Sequence, residues 1–504
     1  MEESINKAEI IGKTFVDSFA HEHTIQKVIG EGGQGMVCKS DARGCVLKFV
    51  FDEKGDLISE SENELLFEYN KAIFNRVRRL PIPYGCHAAV PIAVLQDYSG
   101  YVMRLMDDMK PLSSLIGDAT TFPETGGHRY RLEILSKCAS VLAQMHSSGL
   151  VYCDISANNV FVTENAEDEN QNIWLIDTDN LFVQGSGEKL VYTPRYAAPE
   201  IIRAKTTSCS QNSDLYSFAV LAFEYLSMIH PFAGDATQGE ESEEGGGWDE
   251  TDAGEGEDGS EMNPAYTGEF AWVEDVSDKS NHTSDGFPRK LFLTDELFTL
   301  FNQTFTEGKE NPLARPTAYF WQKALAAASD RTVKCPECKM SHVYDETLSA
   351  CPYCGAALPD VLKIREEASG KIVFVREVTL GEQIKIPERI FVPFDTKYNS
   401  LPALVILVEQ EQEEDDGVVV LKDEFEVMIE DEFEIAIEDW FDVTIKKTDV
   451  DFFSNLRASV LFEDKEKILS TAARTFPLSK SEGKIEITTS FKGAKEKTFC
   501  VLIS

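Results

Sequence analysis

Positive charge is scarce in this chain of 504 residues: 48 lysines and arginines face 87 aspartates and glutamates, and the formal net charge is −39. Such a surface repels nucleic acid and anionic lipid, so we expect neither as a main partner. Long apolar runs are also lacking. None reaches the length that spans a bilayer, and the chain does not begin with the basic and apolar regions of a secretory signal, so we expect a cytosolic protein.

The length exceeds that of one ordinary core, and 42% hydrophobic residues are typical of globular proteins, so we expect two or three domains. Without a secretory signal, the eleven cysteines are expected to be thiols or metal ligands and not disulfides. Seven of them are scattered and are expected to pack as small apolar residues. These are Cys38, Cys45, Cys86, Cys138, Cys153, Cys209 and Cys500.

A glycine-rich segment occupies 30–37, with glycines at its first, third and sixth places: Gly30, Gly32 and Gly35. This spacing lets backbone N–H groups approach phosphate oxygens without interference from a Cβ atom. It also occurs in Rossmann folds, where a helix follows the last glycine. Here the continuation through Val37 is strand-like, and after a turn at 41–44 a second apolar run contains Lys48. The sequence therefore predicts a β-hairpin over a nucleotide and a lysine for its phosphates.

Further segments follow in chain order. Apolar residues at helical spacing over 129–149 predict a buried helix that ends at a glycine. Asp154 follows, with an asparagine five places later and strand-like residues after it. A short apolar strand at 173–176 ends in Asp177. The remaining segments are 192–200, which closes in Ala-Pro-Glu, the helix start at 213–219, and Arg315-Pro316-Thr317.

These segments, in this order over about the first 325 residues, resemble the eukaryotic-like protein kinase superfamily. The resemblance implies a bilobal α+β kinase fold that binds ATP and Mg²⁺ and transfers the γ-phosphoryl group to a protein hydroxyl. A small-molecule phosphotransferase shares the lysine and both acids. It does not need the pairing of the Ala-Pro-Glu glutamate with Arg315 that the resemblance implies, so a protein kinase is favoured.

The resemblance implies a role for each matching residue. Lys48 would hold the α- and β-phosphates of ATP and pair with a glutamate on the helix after the hairpin, for which we choose Glu68. Asp154 would orient the attacking hydroxyl and accept its proton. Asn159 and Asp177 would ligate Mg²⁺.

Glu68 is chosen among four neighbouring glutamates because its spacing from the lysine suits the family. A lobe-facing stripe of this helix would then contain Phe67, Tyr69 and Ile73. Backbone groups at 105–108 would form the hinge that holds the adenine edge. The residues implied to contact the nucleotide are Gly30, Gly32, Gly35, Val37, Val46, Lys48, Leu105, Asp107 and Phe161.

Several positions depart from the family pattern. Tyr152-Cys153 replaces the usual His-Arg before the catalytic aspartate, so a phosphorylated activation segment has no arginine there to bind, and we expect that phosphorylation is not the on-switch. The usual Asp-Phe-Gly is Asp-Thr-Asp at 177–179, and Ser156 replaces a lysine that contacts the γ-phosphate. Thr193 lies where kinases keep a structural threonine. The alternative is a pseudokinase scaffold that binds nucleotide without transfer.

An insertion of about fifty residues at 233–286 has no lysine or arginine through Asp278. Its acids and glycines predict a mobile acidic loop, and its aromatic residues at 265–273 are expected to pack on the lobe. That aromatic stretch, the 301–305 helix and Trp321 narrow the resemblance to bacterial kinases of the tellurite-resistance-associated triad, encoded beside a PP2C-type phosphatase and a von Willebrand factor A protein. This implies an autophosphorylating Ser/Thr kinase opposed by that phosphatase.

Two C-x2-C pairs separated by twelve residues contain the remaining cysteines: Cys335, Cys338, Cys351 and Cys354. Each tight turn points two thiolates at one ion, and two such turns complete a tetrahedral site. Zinc is favoured over iron in this closed site, with rubredoxin-like iron as the alternative. We expect a zinc ribbon with a structural metal. His342, between the pairs, is expected at the surface and not as a ligand.

The last third of the chain contains short apolar or alternating runs, which predict strands and a β-sandwich without a catalytic cluster. The predicted strands are 373–375, 384–386, 403–408, 417–421, 425–429, 433–437 and 484–488. We expect this part to serve in protein interaction or packing. The predicted domains are the kinase domain at 1–329 (lobes about 22–108 and 109–329), the ribbon at 330–358 and an all-β, sandwich-like domain at 359–504.

Overall fold

The computed structural model divides the chain into two compact units. The first contains 1–124, 134–288 and 295–322, and the second contains 125–133, 289–294 and 323–504. The described residues are 5–32, 35–116, 122–164, 172–186, 192–237, 263–379, 381–391, 402–408, 442–448, 474–478, 484–490 and 497–503.

The first unit begins with a six-stranded antiparallel sheet in the order β1-β2-β3-β4-β6-β5. Its strands are β1 (Thr14–Val16), β2 (Glu22–Gly32), β3 (Gly35–Ser40), β4 (Cys45–Phe49), β5 (Ala93–Val94) and β6 (Gly100–Arg104). Side chains along β3 alternate between buried and half-buried, as expected for a strand with one face on a core. That core contains Phe15, Ile25, Leu47 and Phe49.

Helix α1 (Glu64–Arg78) starts at Asn63, whose side chain accepts a hydrogen bond from the Leu66 N–H. Its buried residues are Phe67, Phe74 and Val77. Tyr69 is 56% exposed, so the predicted stripe is wrong at this position. Residues two apart on a helix point about 200° apart, and Tyr69 therefore faces away from Phe67.

Helices dominate the rest of the first unit. Beside them lie the short strands β7 (Met109–Pro111), β8 (Leu150–Val151), β9 (Val160–Thr163), β10 (Ile173–Leu175) and β11 (Phe182–Val183). The helices are α2 (His128–Ser147), α3 (Pro199–Ile202), α4 (Gln211–Ser227), α5 (Asp295–Phe305), α6 (Glu307–Glu310) and α7 (Ala318–Asp330). Part of α2 and part of α7 belong to the second unit. The helix predicted at 129–149 is confirmed as α2. In the part of the chain that the structure describes, no helix is long and apolar enough to cross a membrane.

Helix α4 is buried from Ser213 to its end and forms the centre of the helical core. Phe218 packs against Trp321 and Phe223 against Trp272, with ring centroids 5.8 Å apart in both pairs. Trp272 is fully buried, so the expected packing of the 265–273 aromatics on the lobe is confirmed. The acidic part of the insertion, 238–262, lies outside the described residues.

The second unit contains mainly strands. A hairpin of β12 and β13 precedes a five-stranded sheet, β15-β14-β21-β20-β18, and a three-stranded sheet, β16-β17-β19. The strands are β12 (Thr332–Lys334), β13 (Ser341–Val343), β14 (Val361–Glu366), β15 (Ile372–Glu377), β16 (Gln383–Pro387), β17 (Pro402–Val408), β18 (Asp442–Thr448), β19 (Arg474–Leu478), β20 (Lys484–Ser490) and β21 (Lys497–Ile503).

Four of the predicted strands are confirmed: 373–375, 384–386, 403–408 and 484–488. The strands predicted at 417–421, 425–429 and 433–437 lie outside the described residues. Sequence reasoning missed β14, β18, β19 and β21. The β-sandwich and the bounds of the three domains stay predictions.

Candidate active site

The glycine-rich segment forms the β2–β3 hairpin that the sequence predicts. Gly30 lies opposite Val37 and Gly32 opposite Gly35, and the two residues at the turn lie outside the described residues. Gly35 has a φ of +140°, and a Cβ atom there would overlap the Phe49 carbonyl oxygen. The Rossmann alternative is excluded because a strand, and not a helix, follows the last glycine.

Lys48 lies on β4 directly opposite Tyr101 on β6, and its side chain is buried. Its Nζ donates to Oδ1 of Asp177 and, at 2.7 Å, to Oδ2 of Asp179. Burial by itself would lower the pKa of Lys48, but the charges of Asp179 and Asp177 outweigh it and raise the pKa. Lys48 is therefore a buried ammonium shared by two carboxylates.

Glu68 does not pair with Lys48. Its side chain is 57% exposed and lies 3.5 Å from Nζ of Lys71 on the same helix. The prediction that Glu68 is the partner of Lys48 is therefore wrong in this structure. Helix α1 turns the face with Phe67 and Phe74 inward, and Glu68 lies about 100° around the helix from Phe67.

Asp154 lies in the loop between β8 and β9, and its carboxylate is held on both oxygens. Thr193 Oγ1 donates to Oδ1 at 2.7 Å, and Asn159 Nδ2 donates to Oδ2 at 3.0 Å. The first bond agrees with the structural role expected of Thr193. Burial raises the pKa of Asp154 against the hydrogen bond from Thr193, and the charge of Asp177 adds to the rise.

The backbone of this loop is held by Asp214, a fully buried acid in α4. Its carboxylate accepts the N–H groups of Tyr152 and Cys153, both at 2.8 Å. The Tyr152 hydroxyl donates to the Ile176 carbonyl, which joins the loop to the residue before Asp177. Sequence reasoning missed both roles. The available signal was an acid inside an apolar helix, because a buried charge needs hydrogen-bond partners.

Asp177 follows β10 in a left-handed conformation with a φ of 54°. Burial raises the pKa of Asp177, the charge of Lys48 opposes this rise, and the charge of Asp179 adds to it. Carboxylate and amide oxygens are hard ligands that suit Mg²⁺, and the side chains of Asp177 and Asn159 provide them. Asp177 and Asp179 meet at one lysine ammonium, and the charge of Asp177 also acts on the buried Asp154, an excess of carboxylates that suits a divalent cation.

Three predicted nucleotide contacts belong to one apolar cluster around β4: Val37, Val46 and Leu105. Ile176, which sequence reasoning missed, packs on the same cluster. Asp107 is exposed in the turn after β6, and Phe161 is half-buried on β9. The structure therefore brings together the apolar residues of the predicted adenine site, while contacts of Asp107 and Phe161 with a nucleotide stay predictions.

The predicted pairing of Arg315 with the glutamate of Ala-Pro-Glu is confirmed. The guanidinium donates to both oxygens of Glu200, at 2.7 and 2.8 Å, and its Nε donates to the Gly308 carbonyl at 2.7 Å. The Arg315 side chain is fully buried and lies over the ring of Tyr216. This bidentate pair joins the start of α3 to the segment before α7.

Cys153 and Cys209 are joined in a disulfide, with Cα atoms 5.5 Å apart. The prediction that both pack as free thiols is therefore wrong. The other scattered cysteines are not in disulfides: Cys38, Cys45, Cys86, Cys138 and Cys500. The link ties the residue before Asp154 to the residue before the N-cap of α4, and these two segments approach only in the folded chain.

Replacing Cys209 with alanine is expected to lower the free energy of unfolding by about 2–4 kcal/mol under non-reducing conditions, because the disulfide closes a loop with a sequence separation of 56 residues. Urea unfolding with and without dithiothreitol measures the effect. Reduction should cost the wild type about as much as the substitution does. Cys138→Ala, at a buried free cysteine, is the control that should keep its response to reductant. A wild-type midpoint that does not move on reduction would contradict the cross-link.

The four clustered cysteines come together around one point. Their Sγ atoms all lie within 4.8 Å of one another in the turns that follow β12 and β13: Cys335, Cys338, Cys351 and Cys354. Four thiolates at this spacing are the ligand set of a tetrahedral structural zinc site. His342 is 1% exposed, so the prediction of a surface position is wrong. It lies on the β13 strand, where its ring nitrogen bonds the Val343 carbonyl at 2.8 Å.

Comparisons with known proteins agree with this geometry. The sequence profile of the family described as protein kinase domain matches residues 23–251. "Probable serine/threonine-protein kinase CPE1738" of Clostridium perfringens is 22% identical over 43% of this chain and 30% of its own length. "Serine/threonine-protein kinase PknA" of Mycobacterium tuberculosis is 28% identical over 42% of this chain and 48% of its own length. The chain thus spans less than half the length of either relative.

A solved structure of vaccinia related kinase 3 aligns with 44% of this chain and 70% of its own chain, at 18% identity and a TM-score of 0.32. The matched range contains the glycine hairpin, Lys48, Asp154 and Asp177, whose geometry is described above. Residues 23–251 of this chain therefore match the protein kinase domain family.

Proposed function

We propose that this chain is an ATP-dependent protein kinase that transfers the γ-phosphoryl group to serine or threonine hydroxyls, in itself and in another protein. One observation carries the proposal. Lys48, the loop with Asp154 and Asn159, and Asp177 come from three segments and form one mostly buried site, in which Lys48 bonds Asp177, Asn159 bonds Asp154, and the N–H of Ile176 bonds the Asn159 carbonyl. These four groups are the ones that phosphoryl transfer to a hydroxyl requires.

Each residue then has one task. Lys48, held as an ammonium, binds phosphate oxygens of ATP. Asp154, fixed by two hydrogen bonds, accepts the proton of the attacking hydroxyl. Asn159 and Asp177 hold Mg²⁺, which when bound neutralises negative charge on the transferred phosphoryl group. The apolar cluster around Val46 covers the adenine, and hinge backbone groups at 105–108 hold its edge.

A pseudokinase scaffold is the second candidate. The observation that favours it is the direct contact of Lys48 with Asp177, because this ion pair would compete with a metal ion for the carboxylate. The Tyr152-Cys153 and Asp-Thr-Asp departures from the family pattern point the same way. For either candidate, Cys153 offers no cation to a phosphorylated activation segment, and we propose that activity is not switched by such phosphorylation.

Incubation with labelled ATP and Mg²⁺ separates the two candidates. We expect label on the wild type and on a generic protein substrate, and labelling about 10²- to 10³-fold slower with Lys48→Ala or Asp177→Asn. Lys27→Ala, an exposed lysine of the same sheet, is the control and should retain activity. If the wild type binds nucleotide but transfers no labelled phosphate, the kinase proposal is contradicted and the scaffold is favoured.

The resemblance to bacterial kinases of the tellurite-resistance-associated triad implies two protein partners for the proposed kinase. We propose that a PP2C-type phosphatase removes the label from the autophosphorylated chain and that a von Willebrand factor A protein binds it, both in the cytosol. The segments that support this are the aromatic stretch at 265–273 and Trp321. Dephosphorylation by such a phosphatase and co-purification with the second protein test it, and failure of both would remove the narrower family assignment.

We also propose that the four clustered cysteines hold one structural Zn²⁺ ion in a zinc ribbon. Metal analysis of the purified chain should find about one zinc per chain, and Cys351→Ser should lose it. Cys45→Ser, at a free cysteine outside the cluster, is the matched control and should keep the metal. A chain that contains iron or no metal would overturn the proposal.

A further inference from the structure

Helix α1, described from end to end, presents no carboxylate to Lys48. Its two acidic residues, Glu64 and Glu68, are both exposed. On its buried face, the Phe74 ring lies 4.8 Å from the ring of Tyr101, which is the residue opposite Lys48 in the sheet. At this point α1 therefore packs an aromatic ring, and not a carboxylate, against the residue opposite the lysine.

Asp179 lies at the lysine instead. Its Oδ2 accepts a 2.7 Å hydrogen bond from Lys48 Nζ, and its side chain is 14% exposed. Asp179 belongs to a short 3-10 turn, Thr178–Asn180, that directly follows Asp177. The second acid of the Asp-Thr-Asp motif is thus a first neighbour of the phosphate-binding lysine.

The turn that carries Asp179 is anchored on both sides. Thr178 is fully buried, and its Oγ1 donates to the Ala89 carbonyl at 2.9 Å. Arg76 of α1 donates from Nη2 to the carbonyls of Asp179 and Leu181, at 3.2 and 3.3 Å. Helix α1 therefore contacts the site by holding the backbone of this turn, and the turn supplies the carboxylate.

A second carboxylate at Lys48 has a specific use in a kinase. A buried ammonium that loses its only counter-ion is strongly destabilised. A Mg²⁺ ion held by Asp177 would compete with Lys48 for the charge of that carboxylate. Asp179 can stay bonded to Lys48 at that stage, so the lysine remains paired and aimed at the phosphates.

We propose that Asp179 is the positioning residue that holds Lys48 for phosphoryl transfer, in place of a glutamate on helix α1. The inference rests on the proposed kinase function and deepens it. Because the partner of Lys48 comes from the turn after Asp177, the carboxylates of α1 have no part in activating this site.

The test is a double-mutant cycle on kcat and on the Kd for MgATP, with Lys48→Met, Asp179→Asn and the double variant. Asp179→Asn alone should lower kcat about 10- to 100-fold, because it removes a hydrogen bond between two charged groups. In the Lys48→Met background it should cause no further loss. The effects of two residues that act through one another are non-additive in this way. If Asp179 had a merely structural role, Asp179→Asn would lower kcat by the same factor in the wild type and in Lys48→Met.

Three further variants sharpen the test. Asp179→Glu should restore part of kcat, because it returns a carboxylate to the same turn. Glu68→Gln should retain wild-type kcat, and a loss equal to that of Asp179→Asn would return the role to α1 and overturn the inference. Asp97→Asn, an exposed aspartate between β5 and β6, is the matched control for the change of residue type. Additive losses with a raised Mg²⁺ requirement would assign Asp179 to the metal and also overturn it.

Failure of the inference and failure of the proposed function give different results. If the wild type binds MgATP without transfer, the cycle on Kd still measures the coupling of Lys48 and Asp179. If the Lys48 and Asp179 variants are coupled in Kd but no phosphoryl transfer occurs, Asp179 remains the partner of Lys48 and the kinase function is rejected. If phosphoryl transfer occurs but the two variants are additive, the kinase function remains and the role of Asp179 is rejected.

Discussion

Replacing Asp154 with asparagine is expected to lower kcat for phosphoryl transfer by about 10²- to 10⁴-fold, with little change in the affinity for MgATP. Asp154 is the proposed acceptor of the proton from the attacking hydroxyl. It is 7% exposed, and bonds from Thr193 and Asn159 fix its orientation. Asparagine has almost the same shape and can still accept the bond from Thr193, but it cannot take up the proton. Steady-state transfer with labelled ATP measures kcat, and nucleotide titration measures affinity.

Thr193→Val is the informative companion to Asp154→Asn. It removes the donor to Oδ1 of Asp154 and leaves the carboxylate itself in place. We expect a smaller loss in kcat, about tenfold, because orientation is weakened while the base is retained. A wild-type kcat for Asp154→Asn would mean that this carboxylate is not the proton acceptor.

Replacing Arg315 with methionine is expected to lower the free energy of unfolding by about 3–5 kcal/mol. The Arg315 side chain is fully buried and makes two hydrogen bonds with Glu200, which is 15% exposed. Methionine fills much of the volume but leaves the Glu200 carboxylate without its counter-charge. Urea unfolding measures the difference, and a loss this large is a substantial part of the stability of an ordinary domain.

Two comparisons test the cause of this loss. Adding Glu200→Gln to Arg315→Met should recover part of the stability, because the uncompensated charge is removed. Lys205→Met breaks a pair with Glu310 in which both side chains are more than half exposed, and it should cost no more than about 1 kcal/mol. A cost for Arg315→Met as small as that of Lys205→Met would contradict the structural importance of the buried pair.

Features determined by neighbouring residues were predictable from the sequence. The β2–β3 hairpin follows from alternating strands joined at glycines, and α2 follows from apolar residues at helical spacing. The spacing of the cysteine pairs at 335–354 likewise predicts that the four thiols cluster, because each C-x2-C turn is local. The pairing of Glu200 with Arg315 was predictable only through the family resemblance, since no local pattern joins two residues so far apart in the chain.

The errors concern groups whose partners are distant in sequence. Glu68 was chosen by spacing along the chain, but the rotation of α1 about its axis is set by its buried face, on which Phe74 packs against Tyr101 of the sheet. His342 was expected at the surface, but it is buried, and its ring centroid lies 6.2 Å from that of Tyr353, eleven residues further along the chain. Cys153 was expected to be a thiol because composition does not show that Cys209 lies beside it.

The sequence by itself determined the hairpin, the order of the kinase segments, the metal-ligand pattern and the excess of negative charge. These depend on residue types and on short spacings, which act within one or two turns of chain. Only the tertiary structure decided which carboxylate pairs with Lys48, how Asp214 and Tyr152 hold the loop of Asp154, and which cysteines are joined. Those choices depend on how buried groups satisfy charge and hydrogen bonding once separate segments have packed together, which no local pattern specifies.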